Sequence, residues 1–318
     1  MITTNLVIGS AGFIGARLCE SLLAQGGSVI GIDSFDTTLY PSDKRKTEVK
    51  KLQRLGLNFV EADAAHIDFK EVLDGVDTVY NLAAVPGLLP SWSNFEAYMH
   101  SNVFVVNNLL QALVSFPGVH LIHASTSSVQ GSQAVPGSDE APNSPYGVSK
   151  LAAEKLIQAY GSEFGTPYSI LRYFSVYGPN PRPDQFFAII MDQLEKREPI
   201  TIYGDGLNRR TNTYLDDVVK ATILAGTARM RGLIAPITGS ESATALEIVD
   251  LVAEKMGVAP KLNFDAPRPG DQRSTRGDPE IALSAFGWEA STTIAIGIEK
   301  MVEVFLKQKL SESSANHE

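Results

Sequence analysis

Tyr146 and Lys150 lie four residues apart at the start of a predicted helix that covers residues 144–154. Positions i and i+4 of a helix share one face, so the phenol and the ammonium group are expected to point into the same space. A free tyrosine has a pKa of about 10 and is a poor base at neutral pH, but a neighbouring cation favours the phenolate. The pair therefore predicts a proton acceptor for a sugar or alcohol hydroxyl group.

A glycine-rich turn joins the first apolar strand of the chain to the first predicted helix. It contains Gly9, Gly12 and Gly15, and the missing Cβ atoms allow a tight turn, close approach of a pyrophosphate, and close packing of helix on strand. Phosphates would then face the free N–H groups at the helix N-terminus, where Phe13 and Ile14 lie. This spacing predicts a dinucleotide-binding site.

Asp33 ends the second predicted strand, about 20 residues beyond the glycine-rich turn. A carboxylate in this position accepts hydrogen bonds from the ribose hydroxyls of NAD and repels the 2′-phosphate of NADP, so we predict NAD as the cofactor. Asp63 and its neighbour Ala64 follow the third strand and are placed to reach the adenine edge, although a solvated turn carboxylate explains Asp63 equally well. Lys44 and Arg45 lie well past the strand end, and we interpret them as solvated or substrate-facing.

The first half of the chain alternates short apolar strands with helical patterns. The predicted strands are residues 6–8, 28–32, 58–60, 78–82, 121–124 and 168–171. Strands that are apolar throughout and separated by helices indicate a parallel sheet covered on both faces, so we predict an α/β fold of the Rossmann type, with a doubly wound parallel sheet.

Closely spaced prolines beyond Arg172 indicate a smaller C-terminal lobe that binds substrate and is interleaved with the main sheet. The predicted dinucleotide-binding domain is residues 1–171 with roughly 207–230, the predicted lobe is residues 172–206 and 231–308, and the predicted disordered tail is residues 309–318.

The composition excludes several classes of protein. A net charge of −9 argues against a broad nucleic-acid-binding surface. Cys19 is the only cysteine, which excludes an intrachain disulfide and argues against a zinc cluster, and the histidines show no metal-ligand spacing, so no metal is expected. Because no signal peptide and no membrane-spanning run is recognisable, we expect a soluble, cytoplasmic protein without a membrane partner.

Taken in order, these motifs resemble those of the extended short-chain dehydrogenase/reductase family over nearly the full length. The segments that carry the resemblance are the glycine-rich turn with Asp33, residues 81–84, residues 125–128, the Tyr146/Lys150 pair, and residues 172–179, 203–206 and 212–218. The resemblance implies NAD as cofactor, a UDP-sugar as substrate and a homodimer formed through a four-helix contact. It adds four residues to the cofactor site, namely Leu82, Ala83, Ala84 and Tyr173.

The resemblance also implies a mechanism. Tyr146 as phenolate takes the proton from the sugar O4 while hydride passes from C4 to the nicotinamide, and Lys150 lowers the pKa of the tyrosine and holds the nicotinamide ribose. Thr126 lies just past a predicted strand, at the carboxyl end where open α/β sheets bind ligands, and it shares the proton on O4. Hydride then returns to the opposite face of the 4-keto sugar.

Two segments look closer to UDP-glucuronate 4-epimerases than to other members of the family. One covers residues 40–45, and the other, residues 178–184, places Arg182 near the carboxylate at sugar C6. The expected substrate-binding residues are completed by three hydroxyl side chains and two guanidinium groups for the diphosphate, namely Ser127, Ser128, Ser175, Arg210 and Arg268. The predicted reaction is the conversion of UDP-glucuronate to UDP-galacturonate.

The same segments leave alternatives open. Dehydratases and decarboxylases of the family tend to carry acids at the positions of Ser127 and Ser128, so hydroxyls there argue against both reactions. Leu89 stands where uronate epimerases often have an arginine, which leaves a 4-epimerase for a neutral UDP-sugar as an alternative. A non-catalytic cofactor sensor is a more remote alternative, because such a protein would be expected to lose Tyr146 or Lys150.

Overall fold

The structure, a computed structural model, describes residues 3–315. The strands of this part of the chain are β1 (Thr4–Ile8), β2 (Ser28–Asp33), β3 (Asn58–Glu61), β4 (Thr78–Asn81), β5 (His120–Thr126), β6 (Gln133–Ala134), β7 (Tyr168–Tyr173), β8 (Val176–Tyr177), β9 (Ile200–Tyr203), β10 (Arg209–Thr211), β11 (Thr213–Tyr214), β12 (Leu233–Ile237), β13 (Ser242–Thr244), β14 (Leu262–Asp265) and β15 (Ser274–Thr275).

The α-helices are α1 (Phe13–Ala24), α2 (Asp43–Arg54), α3 (Phe95–Met99), α4 (Val105–Leu113), α5 (Pro145–Phe164), α6 (Phe186–Lys196), α7 (Leu215–Ala228), α8 (Ala245–Met256), α9 (Pro279–Phe286) and α10 (Ile294–Ala315). A π-helical segment, His100–Phe104, joins α3 to α4, and short 3-10 helices cover Phe69–Glu71, Pro90–Trp92 and Ser127–Gln130.

Seven parallel strands form the central sheet in the order β12-β7-β5-β4-β1-β2-β3. The order reverses at β1, because β2 and β3 extend to one side of it while β4, β5 and β7 extend to the other. All six strands predicted from the sequence belong to this sheet, and the predicted α/β fold is confirmed. Ligands of such sheets bind outside the carboxyl ends of the strands at the reversal point.

Helices cover both faces of the sheet, as the apolar strands predict. On one face α1 and α7 pack on the sheet through Leu18, Leu22 and Val218. On the other face, α4 and α5 pack through residues that include Leu109 and Ile157. Each layer of helices buries its apolar side chains against the sheet, and this burial is the dominant favourable contribution to folding.

The smaller lobe has a core of its own, built by α6, α8 and α10 around residues such as Ile190, Val249 and Ile298. Its boundaries differ from the predicted ones in two places. Leu233–Ile237, assigned to the lobe from the sequence, is the edge strand β12 of the main sheet, because its apolar residues pair with β7. Conversely, β10 lies in a four-stranded sheet of the lobe together with β6 from the first half of the chain.

The C-terminal helix is longer than the sequence predicts. The expected disordered tail of residues 309–318 is wrong for residues 309–315, which continue α10, while residues 316–318 lie outside the described part of the chain. Lys309 stabilises this extension, because its Nζ lies 3.4 Å from a carboxylate oxygen of Glu195 on α6. Among the described residues, no helix combines the length and the apolar composition that a membrane crossing requires.

Buried charges join α5 to the sheet. Glu154 on α5 is fully buried and accepts hydrogen bonds from Arg172 on β7, at 3.0 Å from Nε and 2.5 Å from Nη2. The Ser125 hydroxyl donates to the same carboxylate, and Glu140 pairs with Arg172 from the loop that precedes α5. A buried carboxylate is tolerated only when it is paired and hydrogen-bonded in this way.

We expect Glu154→Ala to destabilise the protein by about 3–5 kcal/mol, because it leaves the Arg172 charge without its buried partner. Glu163→Ala is the matched control, since Glu163 lies exposed on the same helix, and it should change the free energy of unfolding by less than about 0.5 kcal/mol. Urea denaturation of the two variants measures the difference. Equal stability of both would contradict a structural role for the pair.

Candidate active site

The glycine-rich turn leaves room for a ligand and offers it hydrogen-bond donors. Gly9 adopts φ +81, and a Cβ there would lie 2.7 Å from the backbone nitrogen of Ala83. A Cβ on Gly15 would lie 2.0 Å from the Gly9 carbonyl oxygen, so neither position accepts a side chain. Helix α1 begins immediately after Gly12, so the N–H groups of its first turn, including those of Phe13 and Ile14, face out of the helix end. These features fit the pyrophosphate of a dinucleotide.

Asp33 connects this turn to the end of β2. Its two carboxylate oxygens accept hydrogen bonds from the backbone N–H groups of Ala11 at 3.1 Å and Phe35 at 2.8 Å. Burial raises the pKa of Asp33, and these two donors and the charge of Arg45 oppose that rise. An ionised carboxylate can accept about four hydrogen bonds, so Asp33 keeps acceptor capacity for ribose hydroxyls.

Arg45 lies against Asp33, which differs from the sequence interpretation of a solvated or substrate-facing residue. Its Nη1 is 3.6 Å from the Asp33 carboxylate and its guanidinium group stacks 5.1 Å from the centre of the Tyr40 ring. The cause is α2, which starts at Asp43 and returns Arg45 to the end of β2. Arg45 Nε is buried without a hydrogen-bond partner among the described residues, so one donor of this cation is available beside Asp33.

Asp63 is held by a histidine that sequence spacing did not connect to it. His100 Nε2 lies 2.7 Å from Asp63 Oδ2, and the N–H of Ala65 donates to the other oxygen at 2.9 Å. These hydrogen bonds lower the pKa of Asp63 against the opposing effect of burial. The ligand atoms of Asp63, His66 and His100 lie within 4.8 Å of one another, and the hydrogen bond explains this proximity without an ion.

The remaining residues predicted to bind the cofactor divide into two groups. Leu82, Ala83 and Ala84 follow β4 directly, and Leu82 N donates to Ile8 O at 2.9 Å, so this segment borders the glycine-rich turn. Ala64 is buried in the core beneath the sheet end. Tyr173 differs, because its side chain packs in the core and shares a 2.8 Å hydrogen bond with Thr222 of α7. Only its backbone, at the carboxyl end of β7, remains for contact with a cofactor.

Tyr146 lies in the first turn of α5, where Ser144 caps the helix by accepting a hydrogen bond from Gly147 N at 3.1 Å. Burial raises the pKa of Tyr146, while a hydrogen bond with Thr126 and the charge of Arg182 lower it. The edge of the Tyr98 ring stands 6.1 Å from the Tyr146 ring. The structure thus brings Tyr146, Thr126 and Arg182 together from three separate segments.

Lys150 is almost fully buried one helical turn further on. Its Nζ lies 3.3 Å from Nε2 of His123, a fully buried residue of β5. Burial lowers the pKa of Lys150 to about 8, against the opposing charge of Glu154. The effect of Lys150 on the pKa of Tyr146 stays a prediction, because the positive charge that opposes the rise of that pKa in this structure belongs to Arg182.

The predicted sugar-binding hydroxyls lie in the segments that directly follow β5 and β7. Ser127 and Ser128 are buried in the 3-10 helix that follows β5, and Thr126 caps that helix by accepting from Ser128 N at 3.1 Å. Ser175 adopts φ +22, a conformation that non-glycine residues rarely adopt, in the turn between β7 and β8. Its carbonyl oxygen accepts from Thr213 N at 3.2 Å, which anchors this turn to β11.

Arg182 is in a loop between β8 and α6 that reaches the Tyr146 side of the cleft. Its guanidinium group makes a two-point contact with Asp184, with both N–O distances 3.0 Å. Burial raises the pKa of Tyr40, Tyr98 and Tyr146, and the charge of Arg182 opposes that rise at each of them. The positive charge of Arg182 therefore acts on Tyr146, although the Asp184 carboxylate already pairs with its guanidinium group.

Arg210 and Arg268 come together from β10 and from the loop after β14. Each lies 3.3 Å from one oxygen of Asp271, so two cations share a single carboxylate. Burial lowers the pKa of Arg210, and the charge of Arg268 adds to this effect. Gln272, which follows Asp271 in the chain, donates to the carbonyl oxygens of Ser127 and Gly131. Asp271 and the two cations it contacts are therefore close to the predicted sugar-binding residues Ser127 and Ser128. An anion with more than one charge fits this position.

Sequence reasoning missed three residues of the site. From the sequence, His123 was not placed next to Lys150, and Arg45 was not placed next to Asp33. Tyr98 was not considered. Strand periodicity offered a partial signal for His123, because it shares one face of β5 with Ser125, and both contact α5. Nothing local indicated Tyr98, whose hydroxyl donates to the Pro86 carbonyl at 2.7 Å and closes a turn that tertiary packing creates.

A doubly wound sheet with a glycine-rich turn at its reversal point and a Tyr/Lys pair at the same edge defines an enzyme that binds a dinucleotide. The family model described as the NAD dependent epimerase/dehydratase family matches residues 5–234. The chain belongs to this family, and its cofactor is NAD.

Relatives of this chain include characterised and uncharacterised proteins. It is 31% identical to a UDP-glucuronate 4-epimerase of Thermodesulfobacterium geofontis, over 93% of this chain and 94% of the relative. It is 37% identical to an uncharacterized UDP-glucose epimerase of Bacillus subtilis, over 92% of this chain and 95% of the relative. The solved structure of UDP-glucuronic acid 4-epimerase from Bacillus cereus, in complex with UDP-glucuronic acid and NAD, superposes with a TM-score of 0.91 at 33% identity, covering 96% of this chain and all of that chain.

We expect the protein to bind NAD at least about tenfold more tightly than NADP, because a 2′-phosphate would meet the buried Asp33 carboxylate. Binding isotherms for both cofactors measure the ratio. Asp33→Ser should reduce it, since Arg45 then faces the phosphate without an acid, whereas Asp36→Asn, at an exposed neighbour, should leave it unchanged. Equal affinity, or tighter NADP binding, would refute the assignment.

Tyr146→Phe should abolish turnover and leave NAD affinity nearly intact, because the phenol supplies the proton acceptor and the phenylalanine ring fills the same space. Positioned acid–base groups contribute about 10²–10⁴-fold to rate. Steady-state kinetics and a binding isotherm on one preparation separate the two effects. A variant that retains most of the wild-type rate would show that another group takes the proton.

Proposed function

We propose that this enzyme catalyses the NAD-dependent epimerisation of a UDP-hexose at C4, with UDP-glucuronate and UDP-galacturonate as the substrate pair. The observation that carries the proposal is the position of the Tyr146 phenol in the first turn of α5, where the Thr126 hydroxyl and the Arg182 charge both act on it. The UDP-glucuronate 4-epimerases that share the fold and the full length of the chain support it.

Each catalytic group has a role that follows from its surroundings. Tyr146 removes the proton from O4 and returns it, and Thr126 holds O4 and the phenol in line through its hydroxyl. Lys150 supplies a buried positive charge one turn behind the phenol. When bound, NAD supplies the acceptor and donor of hydride at C4. Burial of the pair keeps bulk water from the reacting oxygen, which strengthens these electrostatic effects.

Binding of the substrate is divided between the lobe and the loops. Arg210 and Arg268 form a two-cation position for the diphosphate, and the Asp271 carboxylate between them keeps the two charges together until the ligand binds. Arg182 is the cation whose charge acts on Tyr146, so it is the candidate for the C6 carboxylate. Asp184 occupies two of the guanidinium donors, and the substrate carboxylate would replace or share that contact.

Epimerisation without loss of water or CO₂ is supported by the residues beside Tyr146. Ser127 and Ser128 supply hydroxyls and no carboxyl group. A hydroxyl of ordinary pKa cannot serve as the acid or base that elimination at C5 and C6 requires. The keto sugar therefore has to turn in the pocket and accept hydride on its other face.

A 4-epimerase for a neutral UDP-hexose is the second candidate function. Leu89 lies partly exposed in the loop between β4 and α3, and it supplies an apolar surface where a uronate pocket would gain from a cation. The relative from Bacillus subtilis, named as a UDP-glucose epimerase, supports this alternative.

A homodimer is also part of the proposal. α4 and α5 lie side by side, and large apolar side chains on and next to them are exposed, with Phe104 at 54% and Phe164 at 58%. A second copy of the same helices would cover them, which sedimentation equilibrium can test. The cytoplasmic location predicted from the sequence is a matter for cell fractionation.

The reaction itself is tested by incubating the protein with UDP-glucuronate, UDP-glucose and their C4 epimers, followed by NMR and mass spectrometry of the product. We expect inversion at C4, unchanged configuration at C5 and unchanged mass. A product lighter by water or carbon dioxide would replace the epimerase proposal with the elimination or decarboxylation reaction.

Arg182→Ala should lower kcat/KM for UDP-glucuronate by about ten- to a hundredfold, because a charge-assisted pair with the C6 carboxylate contributes about 1.5–3 kcal/mol. The rate with UDP-glucose should change little. Asp184→Asn is the informative companion, since it frees Arg182 from its present partner and should favour the uronate. If the ratio of the two substrates stays constant in Arg182→Ala, another residue recognises the carboxylate.

A further inference from the structure

We propose that His123 is a positioning residue for the reaction: its neutral imidazole accepts a hydrogen bond from the Lys150 ammonium group and holds that charge in place behind Tyr146. The inference rests on the proposed function, because it assigns a residue to the Tyr146/Lys150 pair. It is carried by a 3.3 Å contact between Lys150 Nζ and His123 Nε2, at a place where both side chains are buried.

The surroundings of Lys150 leave His123 as its contact. Among the described residues, this nitrogen is the side-chain atom within hydrogen-bond distance of Lys150 Nζ. The Glu154 carboxylate acts on Lys150 through its charge, while its own hydrogen bonds go to Arg172 and Ser125. A buried ammonium group without an acceptor is costly, so the imidazole nitrogen stabilises the charged form.

The charges around His123 keep the ring neutral. Burial lowers its pKa well below the ordinary value, and the positive charge of Lys150, which faces it from α5, lowers it further. Asn81, which faces it from β4, carries no charge. A neutral imidazole has one donor nitrogen and one acceptor nitrogen, so it can accept from an ammonium group at Nε2 only when its proton lies on Nδ1.

Asn81 completes this arrangement. Its amide nitrogen Nδ2 lies 3.3 Å from His123 Nδ1, while its Oδ1 accepts a hydrogen bond from Ala83 N at 3.3 Å. For Nε2 to accept from a charged Lys150, Nδ1 has to carry the proton, so the Asn81 amide has to turn its oxygen toward Nδ1 and give up the Ala83 N–H. The orientation of the Asn81 amide and the charge on Lys150 are therefore coupled through the tautomer of His123.

Loss of the acceptor should act on both members of the catalytic pair. Lys150 would lose its proton at lower pH, because its charged form is no longer stabilised. We expect Tyr146 to ionise at higher pH, because only the charge of Arg182 would then favour the phenolate. In the pH–rate profile, the pKa of the acid limb should therefore rise and the pKa of the basic limb should fall. Loss of a residue that only supports packing would lower the rate or the stability and leave both pKa values unchanged.

His123→Met and His123→Gln form a matched pair, because the two side chains are similar in size and only the glutamine amide offers a strong acceptor. His120→Met is the control for loss of a buried histidine on the same strand, where His120 Nε2 contacts Ser169 Oγ at 3.1 Å. Circular dichroism and NAD binding establish that each variant is folded. We measure the pKa of Tyr146 without substrate, from the ultraviolet difference spectrum between each protein and its Tyr146→Phe counterpart, and then the pH–rate profile.

In His123→Met, the pKa of Tyr146 and the pKa of the acid limb of the pH–rate profile should each rise by about one unit, and the pKa of the basic limb should fall. At neutral pH, kcat should drop about tenfold with little change in KM. His123→Gln should restore most of each change, and His120→Met should keep both limbs of the wild type. If the methionine and glutamine variants share the wild-type pKa of Tyr146, His123 does not position the lysine. Because the titration needs no substrate, a shifted pKa in a protein that converts no UDP-sugar would reject the proposed function and still support the role of His123.

Discussion

The packing of α5 against β5 is the contact on which the rest of the site depends. Two charged residues one turn apart on this helix, Lys150 and Glu154, are both buried at the contact. Each has a partner on the sheet, His123 for the lysine and Arg172 for the glutamate. Because an unpaired charge in this layer would cost several kcal/mol, the helix has essentially one position on the sheet in which both are satisfied. That position sets where Tyr146 stands.

The cofactor end of the cleft is constrained by close backbone approach rather than by charge. The glycine-rich turn passes so near the segment after β4 that a Cβ on Gly9 would overlap the Ala83 backbone. Asp33 then ties the turn to β2 through Ala11 N. The ends of three parallel strands are thereby held together. The substrate end is built from loops of the lobe.

Much of the fold and part of the site follow from the sequence. The strands of the main sheet have apolar residues on both faces, and the helices between them have one apolar stripe each, so the layer order follows from periodicity alone. The glycine spacing and Asp33 mark the cofactor end, and Tyr146 with Lys150 marks the reacting end, because these signals are local. The boundary of the lobe was not predictable, since β12 resembles any other short apolar segment until it pairs with β7.

The sequence by itself therefore determined the class of fold and the cofactor, and it singled out Tyr146 as the candidate for proton transfer, because each signal depends on residues that are close together in the chain. The tertiary structure alone decided which cation lies beside Tyr146, which histidine contacts Lys150 and which arginine reaches Asp33. Those contacts join segments far apart in the chain, and their existence depends on how helices and loops pack on the sheet. The periodicity of the sequence carries no information about distances between segments, so the charge–charge contacts of the site form only when the chain folds.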